Sequence, residues 1–174
     1  FDIASTNKFY SELYAQLYSD LISKFSILKS IFEDSFSSYL VLFEKIDTCS
    51  AEEDYDLFCR INKINDKRRS MSLFVVNLMK HDIIDVSKVM EIVVKLQCNM
   101  NELINEENQR IKVEEISENI SIIVSNSLDY LKLHPDWNQL RLDIKKISSS
   151  KTKDYSSLTN KAIFKYMDII EKIE

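Results

Sequence analysis

Apolar residues recur along this chain at spacings of three and four over most of its length, the signature of amphipathic helices. Residues 7–25 place Phe9, Leu13, Leu17 and Leu21 four apart with Tyr10, Tyr14 and Tyr18 beside them, which predicts one helix with a broad apolar face. Residues 26–46 continue with Leu28, Phe32, Phe36, Tyr39 and Phe43, and the join carries no glycine or proline to separate a second helix from a kink. Ser50 and Glu53 stand at capping-box spacing, where hydroxyl and carboxylate satisfy two orphan N–H donors reciprocally. They predict a short helix through Leu57, Phe58, Ile61 and Ile64. Asn65-Asp66 interrupts that pattern, and Asp66 is expected to cap a new helix. There Met71, Phe74, Val75, Leu78 and Met79 line one face.

His81-Asp82 reads as a turn, and Asp85 as the cap of a helix bearing Val89, Ile92, Val93 and Leu96. Beyond the polar stretch 99–108, a helix runs to about Leu133 through Val113, Ile116, Ile120, Ile123, Val124, Leu128 and Leu131. Pro135 stops it, because proline disfavours the α conformation in the preceding residue. Trp137, Leu140, Ile144 and Ile147 mark a shorter helix, and Ser148-Ser149-Ser150-Lys151 a loop. The last helix is expected from about Asp154, with Leu158, Ala162, Ile163, Tyr166, Ile169, Ile170 and Ile173. Seven or eight helices with short connections suit an antiparallel bundle or a stack of helical hairpins.

Composition strengthens this reading. The 174 residues include no glycine and one proline. Hairpin turns, bulges and phosphate-cradling loops lean on glycine for φ > 0 or close backbone approach, so sandwiches, barrels and doubly wound sheets are disfavoured. The fold class is all-α, over a single domain 1–174 that is expected to be an excised part of something longer. No apolar run reaches the roughly 20 residues that span a bilayer, so no membrane partner is expected. Neither a basic leader nor an apolar core of a signal peptide opens the chain.

The same absence removes most catalytic motifs, since phosphate-binding loops and nucleophile elbows need glycine. Cys49, Cys59 and Cys98 are odd in number, and His81 and His134 lie far apart, so no metal-ligand spacing assembles. Buried or half-buried thiols in a reducing, cytoplasmic setting are expected. His81 suits a helix C-terminus and His134 a position before Pro135. The acidic runs Glu52-Glu53-Asp54, Glu106-Glu107 and Glu114-Glu115 read as solvated helix starts complementing the helix dipole. No cofactor is implied, and the chain is expected not to be an enzyme.

Net charge is −5, unlike a dedicated nucleic-acid binder. Against that background Arg60, Lys63, Lys67, Arg68 and Arg69, with Ser70, form a basic cluster around the expected turn. It could dock an acidic partner or a phosphate backbone, or simply be solvated. Lys145, Lys146, Lys151 and Lys153 form a second, weaker cluster.

The stretch KRRSMSLFVVNLMKHDIIDVSKVMEIVVKL, residues 67–96, resembles the central signature of the middle domain of eukaryotic translation initiation factor 4 gamma. There an arginine-rich turn ending in serine opens a helix, and the next helix carries a valine-rich face. NKFYSELYAQLYSDLI (7–22) resembles the family's preceding helix and SLTNKAIFKYMDIIE (157–171) its final one. The resemblance implies a HEAT-like α-solenoid of stacked antiparallel helical hairpins, a scaffold without catalysis. It would dock a DEAD-box RNA helicase to promote translation initiation, touch RNA through a basic patch, and meet a cap-binding protein through regions outside this chain. Only Lys67, Arg68, Arg69 and Ser70 fall on the family's basic turn. The chain begins at the family's second hairpin, which puts the N-terminal helicase contact in doubt. Its weight of Ile, Asn, Lys and Ser is that of an AT-rich coding sequence, as in a protist or a large DNA virus. A nuclear RNA-processing relative of the same scaffold is a variant reading. The alternative is a compact bundle that takes a partner helix into an apolar groove, as Bcl-2-like viral host modulators do, although their glycine-containing tryptophan motif is absent.

Overall fold

With no glycine anywhere and proline only at 135, the backbone has few places that favour leaving the helical conformation. The computed structural model describes residues 6–25, 27, 28, 30, 40–43 and 46–174. Among them are six α-helices: α1 (Ser11–Lys24), α2 (Tyr55–Lys80), α3 (Val86–Leu103), α4 (Arg110–Leu131), α5 (Trp137–Ser148) and α6 (Asn160–Ile173). Short 3-10 turns occupy Leu40–Phe43 and Thr152–Asp154, and the described residues form no strand. The fold is all-α, with helices packed on one another, and the connections after α2 are short. Contacts divide the chain into two compact units, Phe1–Asp85 and Val86–Glu174.

In the first unit α1 packs on α2. Asn7 opens α1 by accepting the Phe9 and Tyr10 N–H groups on Oδ1, at 3.2 and 3.3 Å. The face that α1 buries differs from the expected one. Ser11 and Ala15 are buried, while Phe9, Leu13 and Leu17 are 85%, 65% and 49% exposed. Small side chains let the two backbones approach. The contact is then fixed by polar and aromatic partners. Asn77 Nδ2 donates to Ser11 Oγ at 3.0 Å, Ser19 Oγ to the His81 carbonyl at 3.4 Å, and the Tyr18 and Phe74 rings meet edge-on at 6.2 Å. Phe32, Phe36 and Tyr39, expected on a second helical face, lie outside the described residues; Phe43 is buried.

The break expected at Asn65-Asp66 is absent, and α2 runs through it for 26 residues. Asn65 turns its side chain inward, where Oδ1 accepts from Arg68 Nη1 one helical turn on. An asparagine so engaged does not compete for its own backbone. The capping box forms, Ser50 N–H to Glu53 Oε2 at 3.1 Å and Glu53 N–H to Ser50 Oγ at 3.2 Å. It closes a turn ahead of the helix. Asp54 is the true cap, accepting from the Leu57 N–H at 2.9 Å.

The end of α2 is a Schellman closure. The Asp82 N–H bonds the Met79 carbonyl at 3.0 Å and the Ile83 N–H bonds the Leu78 carbonyl at 2.9 Å. This geometry requires a left-handed residue, and Asp82 takes it with φ 58°.

In the second unit α3 packs on α4, α4 on α6 and α6 on α5, with a narrower contact between α3 and α5. Every apolar residue expected on α3 and α5 is buried, as are the α4 residues apart from half-buried Leu128. Two ion pairs in step, Lys161–Glu114 and Lys165–Glu118, both 3.0 Å, show that α4 and α6 run parallel. Buried Ser157 ties the α5–α6 connection to the α3–α4 connection. Its N–H donates to the Ile104 carbonyl at 3.0 Å, its Oγ donates to the Glu106 carbonyl at 2.6 Å, and that Oγ accepts the Gln109 N–H at 2.9 Å. Beside it Asn108 takes the second left-handed position, φ 62°.

The start of the last helix is corrected from Asp154 to Asn160. With Ser157 and Leu158 held inward, the chain stays non-helical until Thr159, whose Oγ1 accepts the Ala162 N–H at 3.2 Å. Inside the unit the Tyr166 hydroxyl donates to Gln97 Oε1 at 2.7 Å, and Gln97 Nε2 donates to Asn101 Oδ1 at 3.1 Å.

Two outcomes follow from these positions. Asp82→Gly removes the steric cost of the left-handed conformation, and it should raise stability by about 0.5–1 kcal/mol in urea unfolding, the sign opposite to that of glycine inside a helix. Burial pushes the Tyr166 hydroxyl above its ordinary 10.0; the Gln97 bond opposes this and the Asp143 charge adds to it. A folded value raised above the unfolded one leaves stability whole below the unfolded value and erodes it as pH rises further. Unfolding measured from pH 7 to 11 should therefore show a fall beginning at about pH 10. Tyr166→Phe should flatten that limb while costing about 1 kcal/mol at neutral pH.

Candidate binding surface

The basic cluster, expected around a turn, lies along the middle of α2. Once the helix is continuous, period sorts its members. Arg60, Lys63 and Lys67 stand at i, i+3 and i+7 and share a face. The first two are exposed and Lys67 is half-buried. Asp56 stands one turn before Arg60 and Asp66 one turn after Lys63. Arg69 stands on another side, half-buried, 3.6 Å from Asp66.

Arg68 and Ser70 are inside the unit. Arg68 is 1% exposed. Its Nε donates to the Leu42 carbonyl at 2.8 Å, its Nη1 to Asn65 Oδ1, and its guanidinium lies 5.6 Å from the centroid of the buried Phe43 ring. Here the arginine fastens the Leu40–Phe43 turn to α2, since a buried guanidinium demands partners for its donors. The sequence held a signal for this. Ile61, Asn65, Arg68, Ser72 and Val75 fall on one stripe of an unbroken helix, and all five are buried.

Elsewhere the groups with chemical potential are dispersed. Cys49 and Cys59 are half-buried free thiols, whereas Cys98, expected to be covered, is exposed. His81 caps the C-terminus of α2. His134 Nδ1 accepts the Asp136 N–H at 3.2 Å. Glu114 and Glu115 are not a solvated pair: Glu114 meets Lys161, and Glu115 is buried with Asn119 Nδ2 at 2.9 Å from its carboxylate. Among the described residues no three His, Cys, Asp or Glu side chains gather in a metal-binding group, and no helix is long and apolar enough to cross a membrane.

One open groove of about 680 Å³ lies between α4 and α6. Glu118, Ser121, Asn126, Lys165, Asp168 and Glu171 are among its walls, a polar lining unlike the apolar trough that a partner helix requires. Comparison with protein-family models, curated proteins and solved structures yields no match. The outer stripe of α2 presents Arg60 and Lys63 to solvent, with Lys67 half-buried beside them.

The two kinds of basic residue separate by measurement. Arg68→Ala strands buried acceptors and removes the tether to Leu42, and should cost about 3 kcal/mol in urea unfolding. Arg60→Ala should stay within about 0.5 kcal/mol of the parent protein.

Proposed function

We infer that this chain is a non-catalytic helical scaffold, and that the outer face of α2 receives an acidic surface of a protein partner. The observation that supports this reading most is the alignment of exposed Arg60 and Lys63 with half-buried Lys67 along one helix face in a chain of net charge −5. Complementary charge chiefly sets the rate and register of such docking.

The partner is the one that the resemblance to the translation initiation factor 4 gamma middle domain implies, a DEAD-box RNA helicase whose cycle the scaffold promotes. A role in translation initiation, contact with RNA through the same stripe, and a cap-binding protein recruited from outside this chain belong to the same reading. Of the family's basic turn, Lys67 and Arg69 keep solvent access for such contacts. Arg68 and Ser70 serve the fold instead.

A triple reversal, Arg60→Glu, Lys63→Glu and Lys67→Glu, tests the assignment against a translation-type DEAD-box helicase. Affinity by calorimetry should fall at least about tenfold, roughly 1.4 kcal/mol, ATPase stimulation should fall with it, and the circular dichroism of the variant should match the parent. No binding of the helicase to the parent chain, or equal binding by both, would overturn the proposal.

A further inference from the structure

In the second unit the outer face of α5 carries no carboxylate. Trp137, Leu140, Ile144 and Ile147 are committed to the core, which leaves Leu142 on the opposite side, 61% exposed. Lys145 and Lys146, three and four residues after it, are its neighbours one turn on, and Arg141, one residue before it, stands to one side at about 100° per residue. All three are exposed. Asp143, the single acid of the helix, is half-buried and takes the Gln139 amide on its two oxygens, both at 3.4 Å. Two more exposed cations, Lys151 and Lys153, follow the helix end. None of the five forms an ion pair among the described residues.

We propose that this face docks an acidic amphipathic helix of a partner protein. Leu142 enters the apolar stripe of that helix, and Arg141, Lys145 and Lys146 meet its carboxylates. Charge complementarity selects an anion. The central leucine selects an anion that carries apolar side chains between its charges, which a phosphate backbone does not. A single-stranded nucleic acid would also want aromatic platforms, and the one aromatic residue of α5, Trp137, is buried. The neighbouring hydroxyls are already engaged. Ser148, Ser149 and Ser150 all donate to the Lys145 or Lys146 carbonyls at 2.7–3.3 Å, so they do not stand ready for phosphate. An anionic bilayer would attract the lysines, but one leucine buries too little to hold a helix in it. This face and the α2 stripe belong to different units, and reversing one leaves the other intact.

The test uses the whole chain and a labelled peptide of about 16 residues, with glutamates at i, i+3 and i+4 beside a leucine stripe. A scrambled peptide of the same composition, phosphatidylserine vesicles and single-stranded RNA are the other probes. In fluorescence anisotropy the amphipathic peptide should bind at least about tenfold tighter than the scrambled one. Leu142→Ala, and separately Lys145→Glu with Lys146→Glu, should each weaken it about fivefold or more. The thermal midpoint should move little for Leu142→Ala, since Leu142 is 61% exposed, and the double reversal should lower it modestly by placing two acids at the C-terminal end of the α5 dipole while the chain stays folded. Equal binding of the two peptides, unchanged binding by the variants, or variant-sensitive capture of RNA or vesicles in place of the peptide would each overturn the proposal.

Discussion

A backbone without glycine must find its left-handed turns among residues that pay for them, and that constraint runs through the whole molecule. Helices satisfy their own N–H and C=O groups internally, and the difficulty concentrates where they end. Among the described residues Asp82 and Asn108 carry the positive φ values, each a short polar residue of the type that tolerates this region best after glycine. The Schellman bonds at Met79 and Leu78 close α2, and Ser157 gathers the connection beside Asn108. Connections are therefore ordered by specific hydrogen bonds and not by intrinsic turn preference.

Polar side chains also decide how the helices sit within each unit. In the first, Asn77 to Ser11 and Arg68 to Leu42 join segments far apart in sequence. In the second, Tyr166 to Gln97 does the same between α6 and α3. A buried donor or acceptor without its partner costs more than a misplaced methyl group, so these few bonds specify one arrangement where apolar contacts alone would accept several. Arg68 illustrates the consequence. A residue that looks like part of a docking cluster is withdrawn from the surface because the Leu40–Phe43 turn needs its donors.

Two helix faces among the described residues gather positive charge. Arg60, Lys63 and Lys67 line α2, and Arg141, Lys145 and Lys146 stand beside Leu142 on α5. Both are helix faces whose opposite sides are filled by core residues, so both are rigid, and a rigid charged face loses little entropy on binding. Such faces suit recognition better than chemistry. The thiols and imidazoles are dispersed along the chain.

The sequence by itself determined the all-α class, through its missing glycines and its three- and four-residue periodicity, and it determined the buried faces of α3 and α5 and most of that of α4. Those segments have one apolar stripe each, so only one orientation buries it. Tertiary structure decided the rest. On α1 both faces carry apolar residues, and the close approach allowed by Ser11 and Ala15 turned Phe9, Leu13 and Leu17 outward. At Asn65-Asp66 local propensity spoke for a break, but the Arg68 partner inside the unit made the unbroken helix the better solution. The sorting of the basic cluster into an outer stripe and one buried arginine followed from that continuity. Period assigns faces only after a helix's extent is known, and the extent was set by a contact 26 residues away, at Leu42.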